Sequence, residues 1–390
     1  MNPSLFQRAV WLAAVSFSAM GLGAADDGGG AASKPLADML SVGMRRQVED
    51  SVDHGLAWLA LQQTADGSFP TLPQAQPAVS SLCVLAFLSR GHQPGLGPYG
   101  KVTEKGIDFV LSCQMSNGLF SYQLPSAKHV DNQASHTAVY NHAIAGLMLG
   151  EVYGHVSGAR AARVKEAMEK ALQFTHDLQT RPKALAGDVG GWRYLQLRFD
   201  ARAADSDLSV TAWELMFLRS ARNAEFDVPQ KYIDEAMAFV HRCWKEKEGV
   251  FYYAIDGNIG GDIRTGRGMV AAGILSLALA GEHQTPVELA AGNWLLAHPY
   301  RGFGEVIGAP YDRFFYSAYY ASQAAAQLGG RYWEGIYPPL VVAVVGAQAP
   351  NGSWPAEVGR TDQMFGNTYS SALAVLSLTP VFQLLPVYQR

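Results

Sequence analysis

The sequence predicts an all-α protein, an α6/α6 toroid built from six helix-turn-helix repeats. Three observations carry this expectation. A motif of amphipathic helix, Gly-containing turn and closing aromatic recurs six times. Each copy is followed by a second helix that is apolar nearly all round. The composition, 48% hydrophobic and only 16% charged over 390 residues, suits one large buried core rather than a disordered chain. A helix apolar on every side must be buried on every side. Six such helices satisfy each other as an inner ring wrapped by six outer ones.

The N-terminus reads as a targeting segment. Arg8 precedes an apolar run from Ala9 to Leu22, then Gly23-Ala24-Ala25. A charged start, a short apolar middle and small residues at a cut are the marks of a secretory signal. Cleavage is expected after Ala24 or Ala25, giving a signal peptide over 1–25 and a flexible leader over 26–38. A single toroid domain is expected over 39–390, in an exported, periplasmic or extracellular protein with no membrane-spanning segment after signal cleavage.

The first copy runs from His54 to Phe69, after a helical lead-in from Met39 to Val52. The second, Lys105 to Phe120, is the clearest. Phe109, Val110 and Cys113 share one helical face, and Asn117-Gly118 supplies the left-handed turn. The third begins at Lys170, reaches Gln179, and closes on Trp192 after a longer loop. The fourth runs from Glu235 to Phe251. The fifth runs from Gly292 to Phe303, and the sixth from Leu340 to Trp354. The closing aromatics recur about every 50 to 70 residues, the signature of a repeat architecture. The apolar inner helices are expected at Val79–Leu88, His136–Leu149, Ser209–Leu218, Gly268–Leu279, Tyr316–Leu328 and Tyr369–Leu378. Cys83, Cys113 and Cys243 fall inside these patterns and read as buried free thiols.

The stretch Lys105-Gly106-x-x-Phe109-Val110-x-x-x-Gln114-x-x-x-Gly118-x-Phe120 resembles the Gln-Trp repeat of the squalene/oxidosqualene cyclases. These belong to the terpenoid cyclase and protein prenyltransferase α/α-toroid superfamily. The likeness covers about Asp53 to Pro386. It departs at Ala343, at Trp244 and at Pro299, the last two standing where Gln belongs. The resemblance implies a toroid in which the repeats tie helix ends together. It also implies where cyclase chemistry would lie. The family's acidic motif Asp-x-Asp-Asp-Thr-Ala finds Asp205-Ser206-Asp207-Leu208-Ser209-Val210-Thr211 here, with Asp205 and Asp207 as candidate catalytic carboxylates. Leu208 replaces the third carboxylate, which would tune the acid. Asp207 is also well placed to cap an inner helix. Zinc-dependent prenyl transfer would need a Cys among the later inner helices, and none is there. No metal and no cofactor are expected.

Acidic residues precede five inner helices: Asp131, Asp207, Asp262, Asp312 and Asp362. Together with Arg264, Arg267 and Arg313 they should ring one rim of the toroid. Aromatic and imidazole side chains on the inner helices, His136, Tyr140, His142, Trp213, Tyr316, Tyr319 and Tyr320, are candidate ligand contacts. The first functional reading is an exported toroid that binds a ligand or a partner protein without the complete catalytic motif. The second is a class II terpenoid cyclase-like enzyme acting on an isoprenoid, with Asp207 as acid. The third is a carbohydrate-active α6/α6 enzyme using rim carboxylates on a polysaccharide. The net charge of -4 and the lack of a basic stripe exclude a nucleic-acid partner.

Overall fold

The computed structural model describes residues 35–126, 129–195, 205–255, 265–305, 312–357 and 361–389. The expected signal peptide, most of the leader, Asp262 and Arg264 lie outside these. The described chain forms one compact unit from Pro35 onwards.

Twelve α-helices alternate along it: α1 Val42–Gln62, α2 Ala78–Ser89, α3 Gly100–Ser112, α4 Ala134–Tyr153, α5 Gly158–Gln179, α6 Leu208–Asn223, α7 Gln230–Cys243, α8 Arg267–Leu279, α9 Pro286–Ala297, α10 Phe314–Leu328, α11 Gly330–Gly346 and α12 Gly366–Leu378. The even-numbered helices pack each on the next, and α12 packs back on α2, so the inner ring is closed. The odd-numbered helices wrap it. Sequence explains the division. All twelve residues of α2 are buried, including Ser80, Ser81 and Ser89. In α3 only one face, with Ile107, Phe109 and Val110, is buried, and Lys101 and Lys105 are exposed. Every predicted inner helix lies within an observed one. Among the described residues no helix is long and apolar enough to cross a membrane. The three cysteines are buried and free.

Four repeats are joined by the same staple. The Gln114 amide donates to Gly118 O in its own turn (3.2 Å) and to Ala167 O of the next outer helix (2.8 Å). Gln63 does the same to Gly67 and Val102, and Gln179 to Gly190 and Tyr232. Gln348 bonds Gly352 and Ser51, joining the last repeat to the first. The turn glycine is required by contact as well as by conformation. At Gly118 φ is +90° and a Cβ would lie 2.3 Å from Lys170 O. Below each staple, an inner-helix side chain accepts the closing aromatic's backbone N–H: Ser80 for Phe69, His142 for Phe120, Thr211 for Trp192 and Ser371 for Trp354.

Repeats four and five depart from the pattern where their Gln is missing. In the fourth, Trp244–Lys245 pairs antiparallel with Val250–Phe251, so a two-stranded ribbon holds the turn. In the fifth, the expected closing aromatic Phe303 is 37% exposed. Tyr300 is buried instead and donates to Ser317 Oγ at 3.0 Å. The leader expected through residue 38 also ends earlier. Leu36 is buried and its carbonyl accepts the Trp333 indole N–H at 3.1 Å.

The C-terminal segment after α12 crosses the end of the ring where the inner helices finish. Val387 is fully buried and its N–H donates to Glu151 at 3.3 Å. The Tyr388 hydroxyl bonds the Tyr319 hydroxyl on the ring interior, and Gln327 donates to Tyr388 O at 2.6 Å. This end of the ring is filled.

Candidate functional site: the central cavity

The opposite end, where the inner helices begin, holds a cavity of about 320 Å³. Every inner helix contributes to its wall through its N-terminal turns: Leu82, Tyr140, Trp213, Met269, Tyr316 and Tyr369. The volume is at the lower end of the range for small-molecule sites.

Of the residues singled out by sequence, His136, Tyr140, Trp213, Asp312 and Tyr316 line this cavity. Tyr319 and Tyr320 lie one turn deeper and are buried, with Tyr319 stacked on Trp213 at 5.3 Å. His142 is elsewhere. It is fully buried between repeats, where Nδ1 accepts from Phe120 N and Nε2 faces Thr175 Oγ1 (3.0 Å) and Ala171 O (3.2 Å). Burial lowers its pKa to about 3, so the ring is neutral. Arg267 is 1% exposed and stands in the wall rather than in the lumen. Its Nε donates to Asp312 Oδ2 at 2.7 Å, and its guanidinium covers the Tyr300 ring at 3.7 Å.

Asp207 does not line the cavity. It caps α6, with Oδ1 accepting from Val210 N (2.9 Å) and Ser209 Oγ (2.8 Å). Oδ2 accepts from the Tyr253 hydroxyl (3.1 Å), and Arg193 Nη1 lies 3.6 Å away. Burial raises its pKa, while Arg193 and these donors oppose the rise. The Tyr253 hydroxyl bonds that of Tyr194 at 2.6 Å, and Tyr140 bonds Ser209. Four hydroxyls thus separate the carboxylate from the lumen. Asp205 is further removed: its carboxylate accepts from Ala184 N at 2.7 Å and its N–H donates to Asp188, which ties down the loop after α5.

Among the described residues Asp312 is the one carboxylate in the cavity wall, and its Oδ1 has no hydrogen-bond partner. Arg313 beside it also lines the cavity and pairs with buried Asp362 at 2.8 Å. Tyr194 and Tyr253 are wall residues that sequence reasoning missed. Each stands two positions after a closing aromatic, Trp192 and Phe251, and in extended chain that places both on the same side.

At the rim, His129 Nε2 and His136 Nδ1 lie 2.9 and 3.4 Å from Asp131 Oδ1. Burial, then the neighbouring His129, lowers the His136 pKa to about 4.

No protein-family model and no curated protein sequence matches the chain. Solved structures do match its fold. A variant of the type II terpene cyclase MstE from Scytonema, bound to merosterolic acid A, superposes with a TM-score of 0.54 at 15% identity, over 89% of this chain and 100% of that one. A D-mannose isomerase gives 0.60 at 13% identity, over 88% and 99%. An inactive α-1,6-mannanase of Salegentibacter with α-1,6-mannotetrose gives 0.56 at 10%, over 87% and 99%. The chain therefore has the terpenoid-cyclase-like α/α-toroid fold. At these identities the likeness extends to fold alone.

Proposed function

We propose that this chain is an exported toroid that binds a short isoprenoid-type lipid with a polar head, without the proton-transfer chemistry of the cyclases. The observation that carries the reading is the make-up of the central cavity. Its wall is apolar and aromatic at Val79, Leu82, Ile144, Trp213 and Met269, and its polar groups include Asn141, Asp312 and Arg313. The accessible surface of the wall is mostly apolar, which desolvates the body of a ligand, while its hydroxyls, amides and the Asp312 and Arg313 charges orient one end. Export rests on the N-terminal charge-and-apolar pattern from Arg8 to Ala25.

The test is extraction of the full chain purified from its host envelope, with mass spectrometry of co-purifying lipid, followed by titration with polyprenyl alcohols and with mannose oligosaccharides. A bound isoprenoid, and a loss of about tenfold or more in affinity for Trp213→Ala, supports the proposal. Saturable binding of the sugar instead removes it.

A second reading keeps catalysis. The Tyr253 and Ser209 hydroxyls bond Asp207 and also line the cavity, a route by which a proton could leave the acid. It predicts a cyclised product that disappears in Asp207→Asn. Against it, the position of the third carboxylate is Leu208, buried and apolar. The carbohydrate-hydrolase reading needs a second carboxylate facing the ligand beside Asp312.

A further inference from the structure

We propose that His129, Asp131 and His136 bind one divalent first-row transition-metal ion at the mouth of the central cavity. The three ligand atoms lie within 4.8 Å of one another. Both imidazoles approach the same carboxylate oxygen, at 2.9 and 3.4 Å. Ligands held about 2.0–2.2 Å from a tetrahedral ion are roughly 3.3 Å apart, and both imidazole–carboxylate separations are already near that span.

A hydrogen-bonded triad explains only part of this. His129 Nε2 bonds Asp131, but the buried His136 Nδ1 makes no hydrogen bond of its own. A metal ion would satisfy that nitrogen and the shared oxygen together. Two imidazoles and a carboxylate suit zinc and its neighbours better than calcium or magnesium, which take mainly oxygen ligands. Three protein ligands leave a position open, and His136 among them lines the cavity, so the ion would sit beside its mouth.

The surroundings hold the ligands in place. Both imidazoles stack on the Tyr194 ring, His136 at 4.0 Å and His129 at 4.9 Å. Val130 N donates to Ser135 Oγ at 3.0 Å, and Gln74 donates to Asn132 O at 3.1 Å, which fixes the turn carrying Asp131. Such outer contacts orient metal ligands. The nearby Arg313 cation is paired with Asp362.

The site does not depend on what fills the cavity, and its test uses metal alone. The full chain, free of any affinity tag and stripped with chelator, is titrated with zinc by calorimetry and with cobalt by visible absorption. The expected result is one equivalent per chain and a cobalt spectrum of nitrogen–oxygen coordination. His136→Ala and Asp131→Asn should each weaken zinc by more than roughly 100-fold. Tyr194→Leu should weaken it by about 10-fold, as outer-shell changes do. Zinc should also raise the melting temperature of the wild type and leave that of His129→Ala unchanged. Absence of saturable binding, or unchanged binding in His129→Ala, overturns the proposal. His129 lies in a loop outside the helices, so its variant decides the question even if His136→Ala does not fold. Lipid titration of the metal-free protein is read separately, so either proposal can fail alone.

Discussion

Asp207 joins two roles that sequence alone leaves open, and its neighbours separate them. Its carboxylate serves Val210 N, Ser209 and Tyr253 at once, with Arg193 beside it. Asp207→Ala should cost about 1–3 kcal/mol in urea unfolding, because a cap is lost and buried donors are stranded. Asp207→Asn, which keeps an acceptor, should cost less; equal losses would mean that the charge beside Arg193 is what matters. Position along an inner helix decides which candidates meet the lumen. His136 and Tyr140 are one turn apart and both line it. His142 lies six positions beyond His136, about 240° round the helix, and turns away into the repeat interface. That angle was legible. Depth was not: Tyr316, Tyr319 and Tyr320 share a face, yet only the first lies high enough to border the cavity. The rim cluster was illegible for another reason: Asp131 and His136 could be singled out, but His129 joins them from a loop whose path no periodicity encodes.

At the level of the element, the repeat is an outer helix, a turn and an inner helix, clamped by one glutamine. Gln114→Ala removes two amide hydrogen bonds, one of them to the next repeat, and should destabilise by about 1–2 kcal/mol in thermal or urea unfolding. Gly118→Ala should cost more, because the added methyl meets a backbone carbonyl at 2.3 Å with φ at +90°. If Gly118→Ala proves neutral, the close approach of the turn to α5 is wrong. These clamps could be read from spacing, since Gln, Gly and aromatic recur at fixed offsets. The substitutes could not. Trp244 and Pro299 announce that the clamp is absent, but the ribbon at Trp244–Phe251 and the exchange of Phe303 for Tyr300 depend on packing against α8 and α10.

For the whole molecule, buried ionisable groups set the acid–base behaviour. Burial raises the pKa of Glu151 to about 7, Glu214 to about 8 and Glu357 to about 7, from an unfolded value of 4.5. The folded protein therefore holds protons that the unfolded chain releases, and this stability is complete below pH 4.5 and lost as pH rises toward 8. His142 acts oppositely. Its folded pKa of about 3, against 6.5 unfolded, makes its contribution complete above pH 6.5 and lost as pH falls toward 3. The melting temperature of metal-free protein should be highest between about pH 4.5 and 6.5, with Glu214→Gln flattening the alkaline side; a maximum above pH 8 would refute this. The ring itself was foreseeable from six all-apolar helices, whereas its filled end depends on where Val387 and Tyr388 reach. Closure also has a temporal side. Gln348 bonds Ser51 across 297 residues, so the seam joins partners made far apart in synthesis. A chain threaded N-terminus first has the flank of α2 that awaits α12 uncovered until the sixth repeat emerges. Until then the repeats form an open arc whose apolar flank on α2 has yet to meet its partner.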